Sequence, residues 1–145
     1  MSIEEVIDKR AIMELQVRYS MALDTGSYEE LDHIFTVDVI ADYEHAGQHK
    51  GIETIKEACR VALDPLTSSQ HQNGNHWAVV DGEYATAGCY FTVHQYLENE
   101  PGGEHFSMGG RYEDELIRTE EGWRITKRKL VLLWSEGNSG VRFNR

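Results

Sequence analysis

The sequence predicts an α+β fold, a cone-shaped barrel in which three N-terminal helices pack on one curved, mostly antiparallel sheet with a closed end and an open mouth. Three observations carry this. Apolar residues recur at helical spacing as far as Leu63, alternate from His71 onward, and are then punctuated by turns at the intervals of an antiparallel meander. At 145 residues the chain has the size of one domain, large enough to bury about two-thirds of its unfolded surface. No linker, repeat or low-complexity run divides it, so residues 1–145 are read as a single domain.

Ser2 followed by Glu5 forms a capping-box pattern, which opens a helix. Behind it Ile3, Ile7, Ala11, Leu15, Tyr19 and Leu23 recur every fourth residue, with Ile12 and Ala22 widening the stripe, and the helix ends near Asp24 to Gly26. Ser27 and Glu30 repeat the pattern for a second helix of two turns, with Leu31, Ile34 and Phe35 as its apolar face. Val37, Val39, Ala41 and Tyr43 alternate with Asp38, Ile40 and Asp42 as a first short strand, and residues 47–51 form a turn. A third helix runs from Ile52 to Leu63, with Ile52, Ile55, Cys59 and Ala62 on one face. Asp64-Pro65 stops it, because the residue before proline avoids helical angles.

The strands follow. Asp81-Gly82 is a hairpin signal between Trp77–Val80 and the run Glu83–Leu97. In that run Ala85, Ala87, Cys89, Phe91 and Val93 share one face, with Tyr84, Tyr90, His94 and Tyr96 on the other. Asn99–Gly103 and Thr119–Gly122 make the remaining turns, around strands His105–Arg118 and Trp123–Trp134. Gly88, Gly109 and Gly110 inside strands suit bulges or bends.

Composition removes several functions. A formal charge of -11 works against a nucleic-acid partner, which rests on clustered Lys and Arg. The acidic start Met-Ser-Ile-Glu-Glu lacks the features of a secretory signal, no run is long enough to cross a bilayer, and a cytoplasmic protein is expected. Cys59 and Cys89 have no C-x-x-C companion and read as core residues. Neither a dinucleotide fingerprint, a phosphate loop nor a G-x-S-x-G elbow is present.

Seven histidines remain as candidates for chemistry. His33, His45, His49 and His105 fall in helix or turn positions and read as solvated. His45 and His49 have the spacing of metal ligands on a helix, but Ala-Gly-Gln between them reads as a turn, so no metal is expected. His71 opens the sheet near the rim where helices and strands meet, with Asn73 and Asn75 able to orient its ring. Asp24 ends the first helix, where the macrodipole disfavours a carboxylate. Taken alone it reads as a surface turn residue, and Tyr19, five residues earlier, as either core or cavity lining.

Those residues also carry a resemblance. Tyr19-x4-Asp24, a strand opening with His71 and Asn75, and the terminal run from Gly110 to Ile125 resemble the SnoaL-like branch of the nuclear-transport-factor-2-like superfamily, near its scytalone dehydratase, lindane dehydrochlorinase and bile acid 7α-dehydratase members. The resemblance implies that Asp24 and His71 form a dyad, with His71 as general base, Asp24 holding its tautomer, and Tyr19 assisting at an oxygen. Imidazole, with a reference pKa of about 6.5, is suited to proton abstraction near neutral pH. A second catalytic histidine, found in scytalone-type members, would be His94, unless a one-residue slip turns it out of the pocket. Arg111 reads as a contact for an acidic substrate group or as a structural ion pair.

The expected function is a cofactor-independent dehydratase, isomerase or polyketide cyclase acting on a small hydrophobic molecule. It would form a homo-oligomer, with a trimer favoured by the resemblance. The rival readings are a non-catalytic ligand-binding subunit of the same fold and the small subunit of a ring-hydroxylating dioxygenase, since fold does not fix function.

Overall fold

The computed structural model describes residues 1–143. Helix α1 spans Ile3–Thr25; the Ser2 hydroxyl accepts the Glu5 amide at 3.1 Å, and Gly26 ends the helix with φ 70°. The every-fourth-residue stripe is buried only in its second half. Leu15, Tyr19 and Leu23 are buried, but Ile3 and Ile7 are 75% and 62% exposed. A step of four residues overshoots one turn by about 40°, so a row held over five steps must leave the face it began on. Gln16 and Ser20 take buried places beside Ile12 and Ala22.

The predicted second helix is a 3₁₀ segment, Tyr28–His33. Its capping box does not form, because the Ser27 hydroxyl bonds that of Thr25 at 2.9 Å. Leu31, Ile34 and Phe35 are buried as the sequence indicates. Strand β1 (Phe35–Asp42) buries Val39 and Ala41 but leaves Val37 81% exposed, since the register against β6 shifts between Phe35 and Ile40. The expected 47–51 turn contains a short strand, β2 (Gln48–Lys50), antiparallel to β1. Helix α2 covers Ile52–Leu63, burying Ile52, Ile55 and Cys59 and leaving Ala62 exposed.

Strands β3 (Ser68–Asp81), β4 (Tyr84–Tyr96), β5 (His105–Thr119) and β6 (Gly122–Gly137) form the meander, and a short helix α3 (Gly140–Phe143) follows. The strand order is β2-β1-β6-β5-β4-β3. All pairs are antiparallel except β1 with β6, whose long connection through α2 and the meander permits parallel pairing. With β2 and β3 at its edges the sheet does not close on itself, so the expected barrel is an open, mixed six-stranded sheet with helices packed on it. Gly88 and Gly109 serve that sheet: an added Cβ would collide with the indoles of Trp77 and Trp134, which lie across them.

Asp8 fastens the start of α1 to the end of the β5–β6 hairpin. Its carboxylate accepts from Arg118 Nη1 and Nη2 at 2.8 and 2.9 Å and from Trp123 Nε1 at 3.1 Å. The Arg118 hydrogen bonds, with Trp123 adding to them, outweigh desolvation and hold the Asp8 carboxyl below its usual range. A carboxyl depressed in the folded state contributes stability above its unfolded pKa of about 3.9, and that contribution is lost as pH falls through the lower folded value. Asp8→Asn is therefore expected to melt below the wild type at pH 7, with the gap narrowing on acidification below about pH 4. A gap independent of pH, followed by circular dichroism melts, would count against this anchoring role.

Candidate functional site

A row of three polar residues on α1 aims the helix at the sheet. Gln16, Ser20 and Asp24 are spaced by four and lie along one flank. Asn73 on β3 donates through Nδ2 to the Gln16 carbonyl at 3.0 Å and to Ser20 Oγ at 2.7 Å. One rung further along β3, Asp24 receives His71. Its Oδ2 accepts the His71 backbone N–H at 2.8 Å and its Oδ1 bonds His71 Nδ1 at 2.7 Å. Asn73 thus docks the helix rather than orienting the imidazole, and Asp24 does the orienting. Both side chains are largely removed from water, 7% exposed for His71 and 19% for Asp24.

The geometry fixes the tautomer. A carboxylate only accepts, so Nδ1 carries the proton and Nε2 keeps the free lone pair of a neutral ring. The two donors also offset the unfavourable macrodipole at the end of α1.

His71 lines a cavity of about 560 Å³ between α2, α3 and the inner face of the sheet. Its walls are mainly apolar, with Leu23, Cys59, Phe91, Val93, Met108 and Leu130 among them, and exposed residues of α2 and of the 3₁₀ turn Glu44–Ala46 stand at its rim. Burial pushes the Cys59 thiol up to about 12, so it behaves as an apolar wall residue. A second crevice of about 480 Å³, bounded by Lys9, Met13, His76 and Trp77, contains neither Asp24 nor His71.

Tyr19 also lines the main cavity, and its hydroxyl lies 2.9 Å from that of Tyr43. Burial pushes the Tyr43 phenol up to about 12 and that of Tyr19 well above its ordinary value, so both remain protonated near neutral pH. In such a pair one hydroxyl donates to the other, which leaves a single O–H for a third party. Tyr43 was legible as an inward strand residue but not as the partner of Tyr19.

Beneath the tyrosines lies a buried polar cluster. Arg128 on β6 and Asp114, directly opposite on β5, are both fully buried and joined by two hydrogen bonds, Nε to Oδ1 at 2.8 Å and Nη2 to Oδ2 at 2.9 Å. Gln16 completes the cluster, donating to Asp114 at 2.6 Å and accepting from Arg128. The guanidinium stacks on Tyr112 and Tyr19, 4.1 and 4.5 Å from their ring centres. Burial alone would lower the Arg128 pKa, but Asp114 more than compensates and holds it charged. This cluster sets the tyrosine ring positions from below.

The other candidate residues stand elsewhere. His94 lies on the outer face of β4, where it bonds His105 at 2.8 Å and Ser107 at 2.7 Å and stays exposed. Alternation accounts for this: Val93 and Gln95 face the cavity, so His94 between them cannot. Arg111 pairs with Glu113 at 3.0 Å on the surface. His49 Nε2 lies 2.9 Å from the Ala46 carbonyl, and among the described residues no cluster of three or more His, Cys, Asp or Glu gathers to hold a metal ion. Among those residues no helix is long and apolar enough to cross a membrane.

Helices packed on an open, mixed six-stranded sheet are the cone fold of the nuclear-transport-factor-2-like superfamily. Within it, the chain belongs to the SnoaL-like domain family, whose model matches residues 4–129. The uncharacterized protein Rv2910c of Mycobacterium tuberculosis is 31% identical over 129 residues, covering 88% of this chain and 87% of that protein. A putative scytalone dehydratase from Novosphingobium aromaticivorans superposes with a TM-score of 0.85 at 20% identity, covering 95% of this chain and 92% of its own. A type 2 hexachlorocyclohexane dehydrochlorinase, LinA, superposes at 0.83 with 18% identity, covering 97% and 95%.

Proposed function

We propose that the protein is a cofactor-independent lyase or isomerase that removes a proton from a small, largely apolar molecule held in the cavity. The observation that carries this is the double clamp of Asp24 on the backbone and ring of His71 at the wall of an apolar cavity. His71 Nε2 takes the proton from a carbon next to an activating group. Asp24 stabilises the imidazolium that results, and the free O–H of the Tyr19–Tyr43 pair meets the oxygen on which charge develops. The imidazolium then returns its proton, to a departing hydroxyl in dehydration or to another carbon in isomerisation. Cyclisation of a polyketide begins with the same abstraction. Dehydratase and dehydrochlorinase names among the structural neighbours support the elimination class.

The test is a thermal-shift screen of hydroxylated aromatics, steroids and terpenoids, each stabilising compound then being incubated in deuterated water and followed by mass spectrometry and NMR. Deuterium incorporation or loss of water with wild type, absent with His71→Ala, is expected. Compounds that bind but neither exchange nor react would instead assign a non-catalytic binding module. The proposal includes a homo-oligomer, a trimer, built on the exposed apolar residues of the sheet, Trp77, Val79, Tyr90 and Leu133 among them. Light scattering on the purified protein measures it, and a monomeric mass at micromolar concentration refutes it.

A further inference from the structure

Two buried polar atoms on facing residues of β3 and β4 have no partner, and one of the two residues lines the cavity. Gln95 is 4% exposed and lines the cavity, yet its Oε1 accepts no hydrogen bond. Ser69 Oγ, on the residue directly across from Gln95 on β3, is equally buried and unpartnered. Burying a carbonyl oxygen and a hydroxyl without partners works against folding, and each such group in a folded chain calls for an explanation. A ligand that enters the cavity and meets them supplies one.

The placement of the pair relative to the dyad is set by the sheet. Ser69 and His71 are two residues apart on β3, and across from them stand Gln95 and Val93 on β4. Side chains two apart share a face, so Ser69, Gln95, His71 and Val93 occupy neighbouring rungs of the same wall, about 7 Å apart along the strands. Leu63, Val93 and Met108 nearby are apolar, and the charged side chain on this part of the wall, Arg142, donates to Met108 Sδ and lies over the ring of Phe106, the residue opposite Gln95 on β5.

Resting on the cavity as the substrate site, we propose that Gln95, with Ser69 behind it, anchors a hydroxyl group of the substrate. An alcohol or phenol O–H donates to Gln95 Oε1 while its oxygen accepts from the Ser69 hydroxyl, so one ligand group uses both of its hydrogen-bonding capacities. With the Gln95 amide turned over, the same hydroxyl accepts from Nε2 instead and remains satisfied. A hydrocarbon satisfies neither atom. The substrate class narrows to a ring system bearing a hydroxyl one rung from the carbon that His71 deprotonates, and Gln95 becomes a specificity-determining residue.

The experiment compares 4-phenylphenol with its shape-matched analogue 4-methylbiphenyl by titration calorimetry on wild type, Gln95→Met, Ser69→Ala and His71→Ala. The quantity read is the ratio of the two dissociation constants. Relative to wild type, the advantage of the phenol is expected to fall about tenfold in Gln95→Met and about threefold in Ser69→Ala, and to persist in His71→Ala. Gln95→Met should bind 4-methylbiphenyl at least as tightly as wild type and melt no lower, since it loses an unpartnered polar group. An unchanged ratio in Gln95→Met and Ser69→Ala, an equal fall in His71→Ala, or no binding of either probe by wild type overturns the proposal. Failure of deuterium exchange with a phenol advantage that depends on Gln95 removes the enzyme reading and leaves the hydroxyl anchor standing.

Discussion

Asp114→Ala is expected to destabilise the protein by about 3–5 kcal/mol, the loss found when one partner of a buried ion pair is removed. Arg128 would keep its charge at 0% side-chain exposure with only the Gln16 amide oxygen and aromatic faces around it. A guanidinium cannot escape by giving up its proton, whereas a carboxylate can gain one. Arg128→Met should therefore cost less than Asp114→Ala, because the Asp114 left behind can protonate. The double variant Asp114→Leu/Arg128→Met should recover much of the loss, since replacing a whole buried pair with apolar residues is often close to neutral. For a domain of this size the single Asp114 variant should melt roughly 10–15 °C lower. Urea unfolding of the four proteins ranks these losses, and a single-variant cost under about 1 kcal/mol would show that water or rearrangement compensates the charge.

That cluster also shows what the sequence could and could not reveal. Asp114 and Arg128 sit within an alternating run that predicts strands, and alternation places them inward, but nothing local says that two inward charges fourteen residues apart will meet. Their pairing depends on the register of β5 against β6, which is interrupted by a shift between Glu115 and Leu116. Gln16 was hidden for a related reason. Hydrophobic periodicity finds the apolar side of α1, while the polar row Gln16, Ser20 and Asp24 that docks on Asn73 and His71 reads as ordinary helix surface until the sheet is in place.

The helix boundaries were the most legible features: Ser2 caps α1, Gly26 ends it, and α2 stops at Leu63 as expected, although Asp64 before Pro65 itself keeps helical angles (φ -58°, ψ -37°), so the expected avoidance of such angles is not what stops it. The strands from β4 onward were legible from their turns. The open sheet was less so, because the parallel contact of β1 with β6 joins segments about ninety residues apart. The candidate site was legible only in part. Asp24, His71 and Tyr19 came from a resemblance, and the structure brings Asp24 and His71 into contact and sets Tyr19 in the same cavity. The histidine sought on β4 lies one residue from the inward position that Gln95 holds, and an error of one residue in a strand exchanges the two faces of a sheet.

For the dyad, His71→Ala is expected to lower kcat/KM on any converted substrate by about 10³-fold or more, within or above the range of general-base catalysis and equivalent to roughly 4 kcal/mol at the transition state. Asp24→Asn should come close to this while preserving the fold, for a reason visible in the hydrogen bonds. Asp24 accepts two N–H groups of one residue through its two oxygens, and asparagine has only one oxygen to offer. If that oxygen stays on the His71 backbone N–H, the asparagine amide must donate to Nδ1. The ring proton then moves to Nε2, where the lone pair should be, and the base is disabled. Asp24→Glu, which restores both oxygens on a longer arm, should recover part of the loss without altering the tautomer. The measurement is kcat/KM for the four proteins together with the imidazole ¹⁵N shifts. A normal rate in Asp24→Asn with its proton on Nε2 would remove His71 from the proton transfer.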